Sequence, residues 1–384
     1  GLVMGCQPSY PEATGILIPD RGPYAVASTN LEVTADAADL DTEQMHAALL
    51  GRPSASGEVR FLPQLLRYPR DAWVIDVDVP DEAIYGPARN QRTNVVAFIT
   101  FPTPAPKQPA PYEFPYEDGA YGVFEHMLAA GDAPRFANED ARYPLILLAH
   151  GSSAHGLYEV AHAHRLSSFG YIVVSITYGD DRFTEDGNLY GHPAFLRPLM
   201  TKAVLDAVLA SETFGPHVDV DHIGITGHSF GGFTALAVTG GAVLGSPASV
   251  VDRRVRAAVA AAPWVASDHE GTRYFAFGEG YAGLRAIEVP VITFFGTKDT
   301  VTRADTILPA TRQLGGASYV VELVDQPHVF DGGAWRDRND WELLFYRAYL
   351  KGDARALGAL KDTESMPSGS TDRQRFDYQR LRTP

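Results

Sequence analysis

The chain has 384 residues, 45% hydrophobic and 21% charged, which supplies enough apolar material for a sizeable core and excludes a wholly disordered protein. Its 47 acidic residues outnumber 32 basic ones for a net charge of -15, which excludes a polyanion such as nucleic acid as the expected partner. A single cysteine, Cys6, excludes an intramolecular disulfide.

In chain order, the opening GLVMGC sets Cys6 behind Val3, Met4 and Gly5. This is similar to the end of a bacterial lipoprotein signal, in which the cysteine carries lipid; an ordinary exposed cysteine is the other reading. Lipidation would imply an extracytoplasmic protein tethered to a membrane, with residues 1–20 as the tether. No stretch reaches the roughly 18 to 20 apolar residues of a membrane span. GPYAVAS and LEVTA look like strands, TEQMHAALL like a helix, and WVIDVDV and NVVAFITF like strands that start a sheet in antiparallel fashion. Prolines at 102, 104, 106, 109, 111 and 115 predict a loop excursion over 102–116, part of an insertion running to about 142. Such an insertion is either a flap or a surface embellishment.

From Pro144 the pattern becomes regular. LILLAHG, YIVVSITY, HIGITG, VRAAVAAAPW, VPVITFFG and SYVVELVD read as strands, separated by helical segments through to DWELLFYRAYLKG. This alternation predicts an α/β fold with a mostly parallel central sheet flanked by helices, antiparallel strands on its N-terminal side, and a site at the strands' carboxyl ends. The domain is expected to span 21–361, with 362–384 an irregular tail.

Within this frame GHSFGG, residues 227–232, lies between a strand and a helix. A serine becomes a nucleophile when its hydroxyl is exposed and hydrogen-bonded to a base, and the G-x-S-x-G spacing supplies a tight turn that presents Ser229. An acid and a histidine are then expected at the ends of later strands. Asp299 follows VPVITFFGTK and His328 follows SYVVELVDQP; Asp325 is the rival acid, weaker because it lies on the strand three residues before His328. The negative oxygen of a tetrahedral intermediate needs preorganised donors. The backbone N–H of Phe230 supplies one, and that of Ser152, after LILLAHG, the other, with Ser153 as the alternative.

These motifs resemble the α/β-hydrolase superfamily over about residues 20 to 360. Within it they resemble the branch of dienelactone-hydrolase-like, platelet-activating-factor-acetylhydrolase-like and bacterial cutinase (polyester hydrolase) enzymes. RGPYAV looks like the first cutinase strand, HGSSA stands at the oxyanion turn, GHSFGG at the nucleophile elbow, and APW where cutinases keep an aromatic wall. The resemblance implies a serine carboxylic ester hydrolase that forms an acyl-enzyme without cofactor or metal. It implies Ser229, Asp299 and His328 as catalytic residues, Ser152 and Phe230 as oxyanion donors, and Trp264 and His228 at the substrate. Short-to-medium acyl or aryl esters are the expected substrates, with polyesters as an extension.

The chain departs from the branch in several places, among them the lack of the cysteine pair that cutinases carry near the C-terminus and the proline-rich insertion, which compact cutinases do not have. Ala262 stands where the acetylhydrolases carry their acid, serine replaces the cysteine nucleophile of dienelactone hydrolases, and Ser152 replaces the aromatic residue usual in polyester-cleaving cutinases. A serine peptidase and a surface-tethered binding protein remain the alternatives. The cluster of His150, His155, His162 and His164 lacks a familiar metal-ligand spacing. His150 is expected to shape the oxyanion turn and the others to lie at the surface. Loop 178–198 offers Tyr178, Phe183, Tyr190 and Phe195 either as a pocket wall or as core packing, and Asp180 and Asp181 are expected to be solvated.

Overall fold

The computed structural model describes residues 18–29, 33–41, 61–67, 72–105, 134–180, 193–243, 250–269 and 271–363. It also describes strands at 112–115, 121–124, 127–129 and 374–379, and the single residues 44, 48, 69, 365 and 366. Cys6, most of TEQMHAALL, much of the 102–142 insertion, and Asp181, Phe183 and Tyr190 lie outside the described residues.

Six apolar runs form the parallel centre of the sheet: β7 (Tyr143–Ala149), β8 (Ile172–Thr177), β9 (Val218–His228), β10 (Val255–Ala261), β13 (Val291–Gly296) and β14 (Ser318–Leu323). Their order is β14-β13-β10-β9-β7-β8, each pair parallel. Strands covered on both faces are buried throughout rather than on alternate residues, as all seven residues of β7 and all six of β8 are. Beyond β8 the sheet turns antiparallel through β3 (Arg92–Thr103), which also pairs with β1 (Ala25–Ser28) and β2 (Val74–Asp78). The predicted class therefore stands: a mostly parallel central sheet flanked by helices, with antiparallel strands on the N-terminal side. Between β10 and β13, a separate antiparallel pair is formed by β11 (Ala266–His269) and β12 (Thr272–Phe275).

Both faces of the sheet are covered. On one lie α2 (Pro193–Ala210), α3 (Phe230–Val238) and α4 (Ala304–Thr311), burying Leu196, Phe233 and Ile307 among others. On the other lie α1 (Val160–Ser168), α5 (Gly332–Leu350) and α6 (Ala354–Asp362), burying Leu166, Trp341 and Phe345. No helix among the described residues is long and apolar enough to cross a membrane.

Three expectations need correction. The tail is not irregular throughout, because β15 (Gln374–Gln379) pairs antiparallel with β14 from Ser318↔Gln379 to Leu323↔Gln374. It closes an edge that β14 would otherwise leave unpaired. The described part of LEVTA, Val33 to Ala35, is not a strand: Val33 makes one isolated bridge to Leu66, and a short helix begins at Ala35. The proline-rich stretch is also less loop-like than predicted, since β3 runs through Pro102, and β4 (Tyr112–Pro115) and β5 (Tyr121–Phe124) form a hairpin. Pro102 is tolerated because β3 pairs with β8 only as far as Thr100, so beyond it no β8 ladder exists to be broken. β6 (Met127–Ala129) then pairs parallel with β1.

β8 and β9 lie on opposite sides of β7, so the chain leaves β7 at a topological switch point. In open α/β sheets the crevice at such a point, outside the carboxyl ends of the strands, is where ligands bind. The turns after β7, β9, β13 and β14 carry His150 to Ser153, Ser229, Asp299 and His328, respectively.

Candidate active site

The turn holding Ser229 is a single residue between β9 and α3, and its backbone adopts φ 56°, ψ -117°, a sparsely populated conformation for a residue with a side chain. Neighbouring contacts hold it there. Ser229 N–H donates to Ala261 O at 2.8 Å, and Ser229 O accepts from Trp264 N–H at 3.1 Å. The flanking glycines are required by space: a Cβ on Gly227 would meet Gly231 O at 2.1 Å, and one on Gly231 would meet Ala149 O at 1.9 Å. The sequence thus closes β9, β7 and α3 onto each other so tightly that the serine is forced to the rim.

Asp299 and His328 converge on it. His328 Nε2 lies 2.9 Å from Ser229 Oγ, and His328 Nδ1 lies 2.8 Å from Asp299 Oδ2. Asp299 is itself held from behind: Oδ1 accepts from the backbone N–H groups of Val301 and Thr302, each at 2.8 Å. Thr302 Oγ1 stands 2.8 Å from Asp299 Oδ2, 2.9 Å from Ala262 O and 3.2 Å from His328 Nδ1. Burial alone would raise the Asp299 carboxyl, but the neighbouring His328 ring and the Thr302 hydrogen bonds outweigh it and hold the group below the usual carboxylate range. An ionised carboxylate on Nδ1 leaves Nε2 free to accept the serine proton. The rival Asp325 turns outward and pairs with Lys298 at 3.2 Å.

Two further contacts fix the histidine turn. Gln326 and Asp331 exchange side-chain and backbone hydrogen bonds at 3.0 Å each, and Asp331 caps α5 by accepting from Ala334 N–H. His228 Nε2 donates to His328 O at 2.8 Å, and the His228 ring packs against His328, Phe330 and Trp335. Burial, and then the adjacent His328 ring, push the His228 pKa down to about 4, so the ring is neutral at neutral pH. Expected at the substrate, His228 has its Nε2 committed to bracing the histidine turn. Trp264, also expected there, is 8% exposed and lies against Phe230 and Phe233.

The β7 turn closes over the serine: a Cβ on Gly151 would lie 3.5 Å from both Ser229 Cβ and His228 Nδ1. Ser152 follows directly and Ser153 has φ 56°. Phe230 opens α3, where first-turn N–H groups have no intrahelical acceptor. Ser152 and Phe230 therefore flank Ser229, from the β7 turn and from α3. A hydroxyl aligned on an imidazole, itself aligned on a carboxylate, can be deprotonated while it attacks an electrophilic carbon.

Several other expectations fail. Asp180 is buried rather than solvated and forms a forked pair with Arg197, Nε to Oδ2 at 2.6 Å and Nη2 to Oδ1 at 3.2 Å. Of the two roles expected for the rings of loop 178–198, Tyr178 and Phe195 take core packing: Tyr178 is buried with its hydroxyl 2.8 Å from Thr201 Oγ1, and Phe195 packs against the core. His155 and His162 are buried instead of superficial, and His162 Nε2 lies 3.0 Å from Glu342 Oε2. Among the described residues no three His, Cys, Asp or Glu side chains are grouped to hold a metal. The sequence reading passed over Thr302 and Arg197. D-x-x-T is a local motif in which a carboxylate accepts backbone N–H groups two and three residues on, and Arg197 is the lone charge in the run PAFLRPLM. No family model matches the chain, and no curated protein matches it in sequence.

Proposed function

We propose that the protein is a serine carboxylic ester hydrolase of the α/β-hydrolase fold, acting on short-to-medium acyl or aryl esters through an acyl-enzyme. The observation that carries this reading is the continuous hydrogen-bonded chain from Ser229 Oγ through His328 to Asp299, assembled from three separate strand ends. Ser229 Oγ attacks the ester carbonyl carbon as its proton passes to His328 Nε2. The carbonyl π-electrons move to oxygen, which the N–H groups of Ser152 and Phe230 receive. The intermediate collapses, the C–O bond to the alcohol breaks, and His328 returns the proton to the leaving oxygen. Water, losing a proton to His328 Nε2, then attacks the acyl carbon; the second tetrahedral intermediate collapses, its C–O bond to Ser229 Oγ breaks, and His328 passes the proton to Oγ, which frees the carboxylic acid and restores the Ser229 hydroxyl. Asp299 holds the imidazole in the Nδ1–H tautomer and stabilises the imidazolium formed in each half.

The test is hydrolysis of p-nitrophenyl acetate, butyrate and octanoate by the wild type and Ser229→Ala. The proposal requires turnover by the wild type and a loss on the order of 10⁴-fold or more in the variant. Equal slow hydrolysis by both would favour a binding protein, and turnover of peptidyl amides in preference to esters would favour a peptidase.

A further inference from the structure

We infer that Arg197 and Asp180 are positioning residues of the oxyanion turn, fixing and polarising the Gly151–Ser152 peptide so that the Ser152 N–H meets the developing oxyanion. This rests on the ester-hydrolase reading and deepens it. Arg197 is completely buried in α2, 0% exposed, and a buried guanidinium is retained only where its donors are used. Neutralising its charge needs Asp180 alone. Two further donors go elsewhere: Nη1 to His150 O at 2.5 Å and Nη2 to Gly151 O at 3.3 Å, the two carbonyls of the β7 turn.

His150 reinforces the second of these. Its Nε2 accepts from Tyr178 N–H at 3.2 Å, so the proton is on Nδ1, which donates to Gly151 O at 2.7 Å. The carbonyl of the Gly151–Ser152 peptide therefore receives two N–H donors. In a planar trans peptide, C=O and N–H point in opposite directions, so anchoring the oxygen aims the Ser152 N–H away from Arg197. Donors on the carbonyl also polarise the amide and strengthen its N–H as a donor, by roughly 10–30% per bond. The same guanidinium lies 4.5 Å from the ring centroid of Phe230, the residue that supplies the other oxyanion N–H, and 4.6 Å from that of Tyr178. One planar cation thus touches both halves of the oxyanion hole, a geometry that lysine's point charge cannot reproduce.

Arg197→Lys and Asp180→Asn test this, with kcat and KM for p-nitrophenyl butyrate and near-UV circular dichroism as a check of folding. Both variants are also assayed with an acyl trifluoromethyl ketone, which adds Ser229 and forms an oxyanion, and with the matching methyl ketone, which does not add appreciably. Folded variants should lose on the order of 10²-fold in kcat with KM held within about 3-fold. Affinity for the trifluoromethyl ketone should fall by the same factor as kcat, while that for the methyl ketone is unchanged. A role confined to packing would not link those two losses. Wild-type kcat in a folded Arg197→Lys protein, a loss expressed in KM alone, or loss of the native spectrum in both variants would each overturn the inference. Absence of any difference between wild type and Ser229→Ala would instead remove the ester-hydrolase reading itself.

Discussion

Replacing His228 with glutamine should flatten the dependence of stability on pH. In the folded chain His228 remains neutral down to about pH 4, whereas in the unfolded chain it takes up a proton near the ordinary histidine value of about 6.5. The depressed folded value means that the unfolded state binds the extra proton first as pH falls. Stability contributed at this site is therefore complete above about pH 6.5 and declines until about pH 4, where the folded ring also protonates. At about 1.36 kcal/mol per pH unit, the loss between about pH 7.5 and about pH 5 is about 2 kcal/mol. A glutamine at this position can place an amide donor near the His328 carbonyl, so the change removes the titration with less disturbance of the 2.8 Å bracing contact than an apolar residue would cause. Urea unfolding followed by tryptophan fluorescence at both pH values measures it. His150, also pushed well below its ordinary value by burial and by Arg197, titrates in both proteins, so the comparison isolates His228. Equal losses in stability for the two proteins would refute the neutral state assigned to this ring.

Asp299→Asn should leave the fold intact and lower kcat for p-nitrophenyl butyrate by about 10⁴-fold at unchanged KM, because an amide at that position favours the wrong imidazole tautomer. Thr302→Val, nearly the same in volume, removes the hydroxyl from Asp299, Ala262 and His328 and should cost on the order of 10-fold in kcat, read from initial rates. Glu342→Gln removes the carboxylate facing His162 and one of the two beside Arg338, which keeps Glu159 at 2.6 Å, and should destabilise the protein by roughly 1.5–3 kcal/mol in urea unfolding; a loss below about 0.5 kcal/mol would show that the pairing contributes little.

The parts of the site that the sequence made legible are those whose geometry is local. GHSFGG declares its turn because two glycines and a serine must share one strand-to-helix corner. Asp299 and His328 announce themselves because each lies a few residues beyond a largely apolar run, VITFFG and SYVVEL, so the strand end fixes their location without knowledge of any partner. Thr302 was legible in principle, since its bonds to Asp299 span three residues. Arg197 was legible only as a question: a charge in an apolar helix must find partners, and nothing in PAFLRPLM says that these are Asp180 and the carbonyls of His150 and Gly151, 17, 47 and 46 positions away.

The histidines on α1 show why the remainder was hidden. His162 and the charges of WRDRNDWELL look like solvated helix faces when each helix is taken alone, because a mixture of polar and apolar residues at helical spacing ordinarily divides into wet and dry sides. That inference fails when two polar faces are turned towards each other over one sheet. Glu159 and His162 on or beside α1 meet Arg338 and Glu342 on α5, with Arg338 bonded to Glu159 at 2.6 Å and paired with Glu342 at 3.3 Å. Arg338, Asp340 and Glu342 are completely buried as a result. Thr226, three residues before Ser229, donates to Glu342, and Arg338 stacks on Trp335, which in turn packs on His228. Hydrophobic pattern can place a strand end, but charge compensation is a property of pairs. The layer that braces the serine and histidine turns therefore exists only once the sheet has brought α1 and α5 side by side.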